Sequence, residues 1–341
     1  MARSSPIDIV EAAYRVGHAR EVWLRGVLDA TGPVIQPSTF ACGYFVDISE
    51  AGAVRVDGVS VLGGSASLAK AIAAFHETTP DMSRIVHAQA AMGAVTVSEL
   101  LAKFEYARPG FEKLGASVAH AGIPLADTLG VVGLDAAGRG VVLSCAYDRP
   151  TTLNRQMRTR WTRVGVHLAA GERLRRALEA RPSEAEAVLS PAGRVEHAEG
   201  DAKGSAALES LRTRVAMIDR ARSRRGRSDP DAALEAWRGL VAGRWSLVDR
   251  FESDGRRYVV AHRNEPVPAK VLALTLRERQ VVAHRVVGHA SKVIAYALGI
   301  SAAAVSAALR SAMLKLGARN VQQLLTRLDR RVVNAAARDR P

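Results

Sequence analysis

The sequence predicts an α/β region joined to an all-α domain of four short helices, and three observations carry that prediction. Two pairs of strand-like runs, Phe40 to Ile48 with Ala53 to Leu62 and Leu129 to Leu134 with Gly140 to Tyr147, are interleaved with helical segments. The run Asn264-Glu265-Pro266-Val267-Pro268 reads as a stiff linker. Beyond it, Leu274 to Leu328 breaks into four short helices, punctuated by glycines and polar caps. A chain of 341 residues suggests two or three domains. The expected bounds are 1–181, 183–265 and 270–331.

The elements follow in order. Ser4 to Ala30 reads as one amphipathic helix, ended by Gly32-Pro33 and Pro37. The first strand pair turns at Glu50-Ala51-Gly52. Ser67 to Glu77 is helical, Met82 to Glu105 is helical in pieces, and Phe111 to Ala119 is a further short helix. The second strand pair turns at Ala136 to Arg139. Thr151 to Ala180 is the most regular helix, with Met157, Trp161, Val164, Leu168, Gly171, Leu174 and Leu178 at steps of three or four. That stripe suits the inner face of a helix closing its own domain. A dimer seam is the alternative, which Gly171 weakens. The order of elements resembles a GAF-like or PAS-like sensor lobe.

After the break at Arg181-Pro182, two hairpins are expected, Ala187 to His197 and Gly243 to His262. Between them lie the cations of Arg220 to Arg227, read as a solvated loop because no aromatics interleave with them, and a helix over Asp231 to Val241. Residues 183–265 would then form a small PAS-like second lobe.

In the last stretch Thr275 and Glu278 make a capping box, and Val281, Val282 and Val286 give the first helix an apolar face. A second helix starts near Ser291 with Ile294, Ala295 and Leu298 facing inward. Gly299-Ile300-Ser301 supplies a tight turn, a buried plug and the next cap. The third helix packs through Val305 and Leu309, and Asn320 with Gln323 opens a fourth helix, Val321 to Leu328. The middle pair has helix-turn-helix spacing.

Leu274-Thr275, Arg277-Glu278-Arg279, Val281, Gly288, Lys292, Ile294-Ala295, Leu298-Gly299-Ile300-Ser301, Val305, Leu309 and Lys315-Leu316-Gly317 resemble the LuxR/FixJ class of bacterial transcription factors over about one sixth of the chain. Three positions depart from the family pattern. Ala304 and Ala308 stand where a Thr and a His are usual on the third helix, and Val321 stands for an Arg. The resemblance implies a cytoplasmic regulator that binds double-stranded DNA. A small-molecule ligand in the sensor region and RNA polymerase are the further partners such a regulator would take. Homodimerisation through the last helix is also implied, with Leu324, Leu325 and Leu328 as the apolar seam.

In a helix-turn-helix the second helix enters the major groove while the first braces on the backbone. Lys292 is therefore expected at a phosphate, Arg310 and Lys315 at phosphates or base edges, and Ala303, Ala304, Ser306 and Ala307 at the groove floor. Alanine can touch a thymine methyl but cannot donate or accept, so base reading falls on Ser306 and Arg310. The alanine-rich face also suits an alternative, the same fold used as a protein-interaction module with weak or lost DNA binding.

Composition agrees with a polyanionic partner. The net charge is +14, and from Val271 onward twelve cations stand against three acids, so this fifth of the chain carries +9 of it. With 48% hydrophobic and 24% charged residues the chain can bury large cores. Cys42 and Cys145 sit in apolar strand-like runs, as buried thiols of a reducing compartment would. No signal-like segment opens the chain and no apolar run reaches membrane-spanning length, so no membrane association is expected.

Nothing assembles into a catalytic centre. The histidines lack metal-ligand spacing, and Gly63-Gly64-Ser65 lacks the Lys and glycine spacing of a phosphate loop. No Gly-x-Ser-x-Gly elbow and no receiver-type aspartate cluster appears. The expectation is a non-enzymatic protein with no cofactor and no metal.

Overall fold

The computed structural model describes residues 5–35, 38–48, 54–79, 82–120, 122–180, 185–241, 245–251, 257–263, 274–316 and 318–324. Helix α1 (Pro6–Ala13) starts from a capping box in which the Asp8 carboxylate accepts from the Ser5 amide at 2.7 Å. The single helix expected over Ser4 to Ala30 is two helices. Trp23 Nε1 donates to Ala13 O at 2.9 Å, occupying a carbonyl that a continuing helix would use, and the chain restarts as α2 (Arg20–Thr31). Trp23, Leu24, Val27 and Leu28 are thereby buried on the sheet.

That sheet comprises β1 (Phe40–Asp47) and β2 (Arg55–Leu62), then, beyond α3 (Ala66–Thr78) and α4 (Met82–Met92), the short β3 (Val95–Thr96). Helices α5 (Val97–Leu101) and α6 (Arg108–His120) lead to β4 (Asp127–Leu134) and β5 (Arg139–Tyr147). The order is β2-β1-β5-β4-β3, with every pairing antiparallel. The expected strand pairs are present, whereas β3 lies inside a stretch expected to be helical. Two residues leave no period to detect.

Alternation sorts the buried strands onto two faces. Ala41, Phe45, Val141, Leu143 and Cys145 join one apolar cluster with α1, α2 and the long α7 (Arg155–Ala180), while Cys42, Tyr44, Val46, Val142 and Ala146 pack toward α3, α4 and α6. A sheet covered on both sides explains why β1 reads as nearly continuous apolar sequence. Both cysteines are free and buried. Burial pushes the Cys42 thiol up to about 12. Along α7, which packs on β4, β5, α1 and α10, Trp161, Val164, Leu168 and Leu174 are buried, so from Trp161 onward the stripe is an inner face and these residues are unavailable to a dimer seam, while Met157 at its start is exposed.

The second sheet, order β7-β6-β9-β8, holds β6 (Ala187–Leu189), β7 (Val195–Ala198), β8 (Trp245–Phe251) and β9 (Arg257–Arg263). Between its hairpins run α8 (Ser205–Arg222), α9 (Arg224–Arg227) and α10 (Pro230–Val241). The solvated loop expected at Arg220 to Arg227 is instead the end of α8 and the short α9. Two of its cations are held: Arg222 and Arg227 pair with Glu11, and Arg227 also with Asp8. Nor does residue 183 separate two cores. One apolar cluster runs from Ile7 through α7, Leu211, Trp237 and Leu247 to Tyr296. The turn at 252–256 and the linker Asn264 to Pro268 lie outside the described residues.

Candidate nucleic-acid interface

The C-terminal domain is built from α11 (Leu276–Val286), α12 (Ser291–Leu298) and α13 (Ala302–Lys315), with residues 321–324 helical again. Val281, Val282, Ile294, Val305, Leu309 and Leu316 form its own apolar cluster. Thr275 and Glu278 form the capping box expected of them, with the Thr275 amide donating to Glu278 Oε2 at 2.7 Å. Gly299 ends α12 at φ 66°, a left-handed conformation that a Cβ disfavours. The Ser301 hydroxyl then caps α13 by accepting from the Ala304 amide at 3.1 Å.

Across that three-residue turn α12 and α13 are bent by 104°. This is the crossing of a helix-turn-helix. Together the pair is apolar enough to resemble a broken membrane span, but no single helix among the described residues is long and apolar enough to cross a membrane.

Residues 272–328 match the family model of bacterial regulatory proteins, luxR family. This region is a LuxR-family domain. No curated protein matches the chain. Within it, α12 carries Lys292, and α13 carries the predicted residues from Ala303 to Lys315.

On α13 Ala303, Ala304, Ala307 and Arg310 are exposed and Ser306 is half-buried, its hydroxyl donating to Ala302 O at 3.1 Å. Lys292 is exposed at the first turn of α12. Lys315 is placed differently from expectation: its ammonium lies 2.8 and 2.9 Å from the two oxygens of Glu278. Burial opposes charge on Glu278. The Lys315 ammonium, the Ser311 hydroxyl and the Thr275 amide outweigh it and hold the carboxyl at about 2. Lys315 thus braces α13 on α11.

Leu324 is wholly buried in the domain's own cluster, which removes it from the expected dimer seam. Leu325 and Leu328 lie outside the described residues. One exposed residue was missed. Leu314 is 82% exposed, and it continues the stripe Ala303, Ala307, Arg310 at steps of four, three and four. The same spacing rule that picked out the alanines could have found it.

Because Glu278 serves the cap, Ser311 and Lys315 at once, Glu278→Ala should lower the melting stability of this domain by about 2–3 kcal/mol. A thermal melt followed by circular dichroism reads this, and a loss below about 0.5 kcal/mol would contradict the bracing role.

The domain is also seated on the preceding region. The Tyr296 hydroxyl donates to Leu234 O at 2.7 Å, so its oxygen must accept from His167 Nε2, 3.0 Å away. His167 Nδ1 is then left to accept from the Tyr14 hydroxyl at 3.2 Å. This buried chain ties α12 to α10, α7 and the end of α1. Nearby, His284 and His289 share a hydrogen between Nδ1 atoms 2.9 Å apart, and Arg238 donates to Ile300 O at 3.2 Å. No group of three or more metal-ligating side chains occurs among the described residues.

Proposed function

We propose that the chain is a DNA-binding transcriptional regulator whose LuxR-type helix-turn-helix is controlled by the α/β region before it. The observation that supports this best is the coincidence of the family match with an exposed α13 face at a 104° helix crossing. Arg310 is the reading cation, Lys292 the phosphate contact, and Ala303, Ala304, Ser306 and Ala307 line the groove floor. Such a face discriminates bases weakly, so affinity rests chiefly on charge. Control by the α/β region is supported by the extent of the seat: Tyr296 and Ala297 share its apolar cluster, and Val287 packs into the cluster beneath α3 and α4. A homodimer on two half-sites one helical turn apart fits the same reading, with RNA polymerase as a downstream partner.

Anisotropy titrations with promoter fragments test the proposal. Lys292→Ala should weaken binding evenly across sequences and reduce the salt slope by about 0.9. Arg310→Ala should cost about 1–3 kcal/mol and relax specificity at one position. Unchanged affinity in both variants would refute the assigned groove face.

The rival reading, a protein-interaction module, is favoured by one observation: Leu314 extends the small-residue stripe as an exposed apolar side chain. Absence of DNA binding even at low salt, with long fragments, would favour it.

A further inference from the structure

Between α7 and the turn of the helix-turn-helix lies a cleft of about 630 Å³, a size typical of small-molecule sites. One wall is the first half of α7 with the end of α4 and part of α10. The other is the start of α12, Tyr296, and Ile300 with Ala302 at the turn. Its apolar lining includes Met92, Val166, Val293, Tyr296 and Ile300.

Five cations, Arg155, Arg158, Arg163, Arg238 and Lys292, line the cleft against one acid, Glu235. Three of them are engaged. Arg158 pairs with Glu99 at 2.6 Å, while Arg163 and Arg238 both pair with Glu235, at 2.9 and 2.7 Å. Arg155 and Lys292, one from each wall, are exposed and make no ion pair among the described residues. Two uncompensated cations facing one cleft call for an anion. The apolar lining and the volume call for a body attached to it, because a bare anion would leave both unused. Glu235 accepts, so that body should carry a donor such as a hydroxyl or an amine.

We propose that this cleft binds a nucleotide-sized organic phosphate, its phosphate held by Arg155 and Lys292 and its body against Tyr296 and Ile300. Bound there, the ligand clamps the helix-turn-helix on α7. Because Lys292 is also the phosphate contact on DNA, the ligand competes with DNA for it. Binding stands apart from the DNA reading, and only the competition rests on that reading.

Calorimetry on the full chain tests the site with adenosine 5′-monophosphate, adenosine and inorganic phosphate as probes. The monophosphate should bind at least 10-fold more tightly than either fragment, and Arg155→Ala and Lys292→Ala should each weaken it at least 10-fold. No binding of the monophosphate, equal binding of inorganic phosphate, or unchanged affinity in both variants would overturn the proposal.

DNA titration adds the second arm. Saturating monophosphate should weaken DNA binding, and Arg155→Ala should abolish that effect while leaving ligand-free DNA affinity as it was. If Arg155→Ala instead weakens DNA binding and its salt slope without ligand, the cleft is a track for DNA phosphates and the proposal fails. Should the chain bind no DNA at all, the calorimetry still decides the site.

Discussion

Acidification from pH 7.5 to pH 5 should destabilise the fold by about 6 kcal/mol, a large share of the roughly 5–15 kcal/mol typical of folded proteins. The cause is a set of buried neutral histidines. Burial holds His76 down at about 4, His167 at about 3 and His289 at about 4, and holds His284 well below the ordinary range. Arg163 adds to the effect at His167. His289 and Arg173 do so at His284, while Asp135 opposes it at His289.

The sign follows from where the proton goes. Between the folded values and the usual 6.5 the unfolded chain binds protons that the fold excludes. Stability is therefore whole above about pH 6.5 and falls as pH drops toward 4. At pH 5 each neutral histidine costs about 2 kcal/mol, and counting the hydrogen-bonded pair His284–His289 once gives about 6 kcal/mol. Glu278 works lower down: its depressed carboxyl loses its contribution only as pH falls below the usual 4.5 toward about 2.

Thermal melts across pH should show a fall in Tm of roughly 10 °C or more between pH 7.5 and pH 5. His167→Gln keeps one acceptor for Tyr14 and one donor for Tyr296 but takes up no proton, so it should flatten the curve. A Tm independent of pH over this range would contradict the neutral assignment.

Gly133→Ala in β4 should destabilise the protein by at least about 3 kcal/mol, at the upper end of what overpacking usually costs. A Cβ there would lie 2.3 Å from Gly165 O and 3.0 Å from the Ala169 amide, both backbone atoms of α7. Backbone cannot rotate aside as a side chain can, so α7 would have to lift from the sheet. Lifting it would disturb His167 and the seat of α12 as well. Gly115→Ala in α6 is the control. Nothing lies within 4 Å of its Cβ position, so it should be neutral or stabilise by up to about 1 kcal/mol. Urea unfolding of the two variants checks both values, and equal stability would refute the close-approach account.

Both predictions concern contacts far apart in sequence, and that marks what could be read from the chain alone. The strands β1, β2, β4 and β5 were legible because each is eight or nine residues long and bounded by turn residues. So were the caps at Thr275 and Ser301 and the left-handed turn at Gly299, whose chemistry acts within three residues. Helix α8 is legible in principle, because Leu211, Val215 and Ile218 repeat at helical spacing, but the loop expected from Arg220 onward overlaps its end. The break between α1 and α2 has a weak local mark in Gly17, which a single-helix reading of Ser4 to Ala30 passes through. It depends on Trp23 reaching back to Ala13 O.

In the C-terminal domain the sequence located the exposed face of α13, since exposure of Ala303, Ala304, Ala307 and Arg310 follows from helical periodicity about Val305 and Leu309. It misassigned Lys315 and Leu324, whose partners Glu278 and the domain core are reached only through the folded chain. The sequence by itself therefore determined the LuxR-type scaffold and its rim of charge, because capping, turn geometry and periodicity are short-range. The tertiary structure alone decided which cations remain exposed and how α12 is seated through Tyr296 and His167. It also decided that a cationic cleft opens beside the turn into α13, because ion pairing and burial depend on residues far apart in the chain.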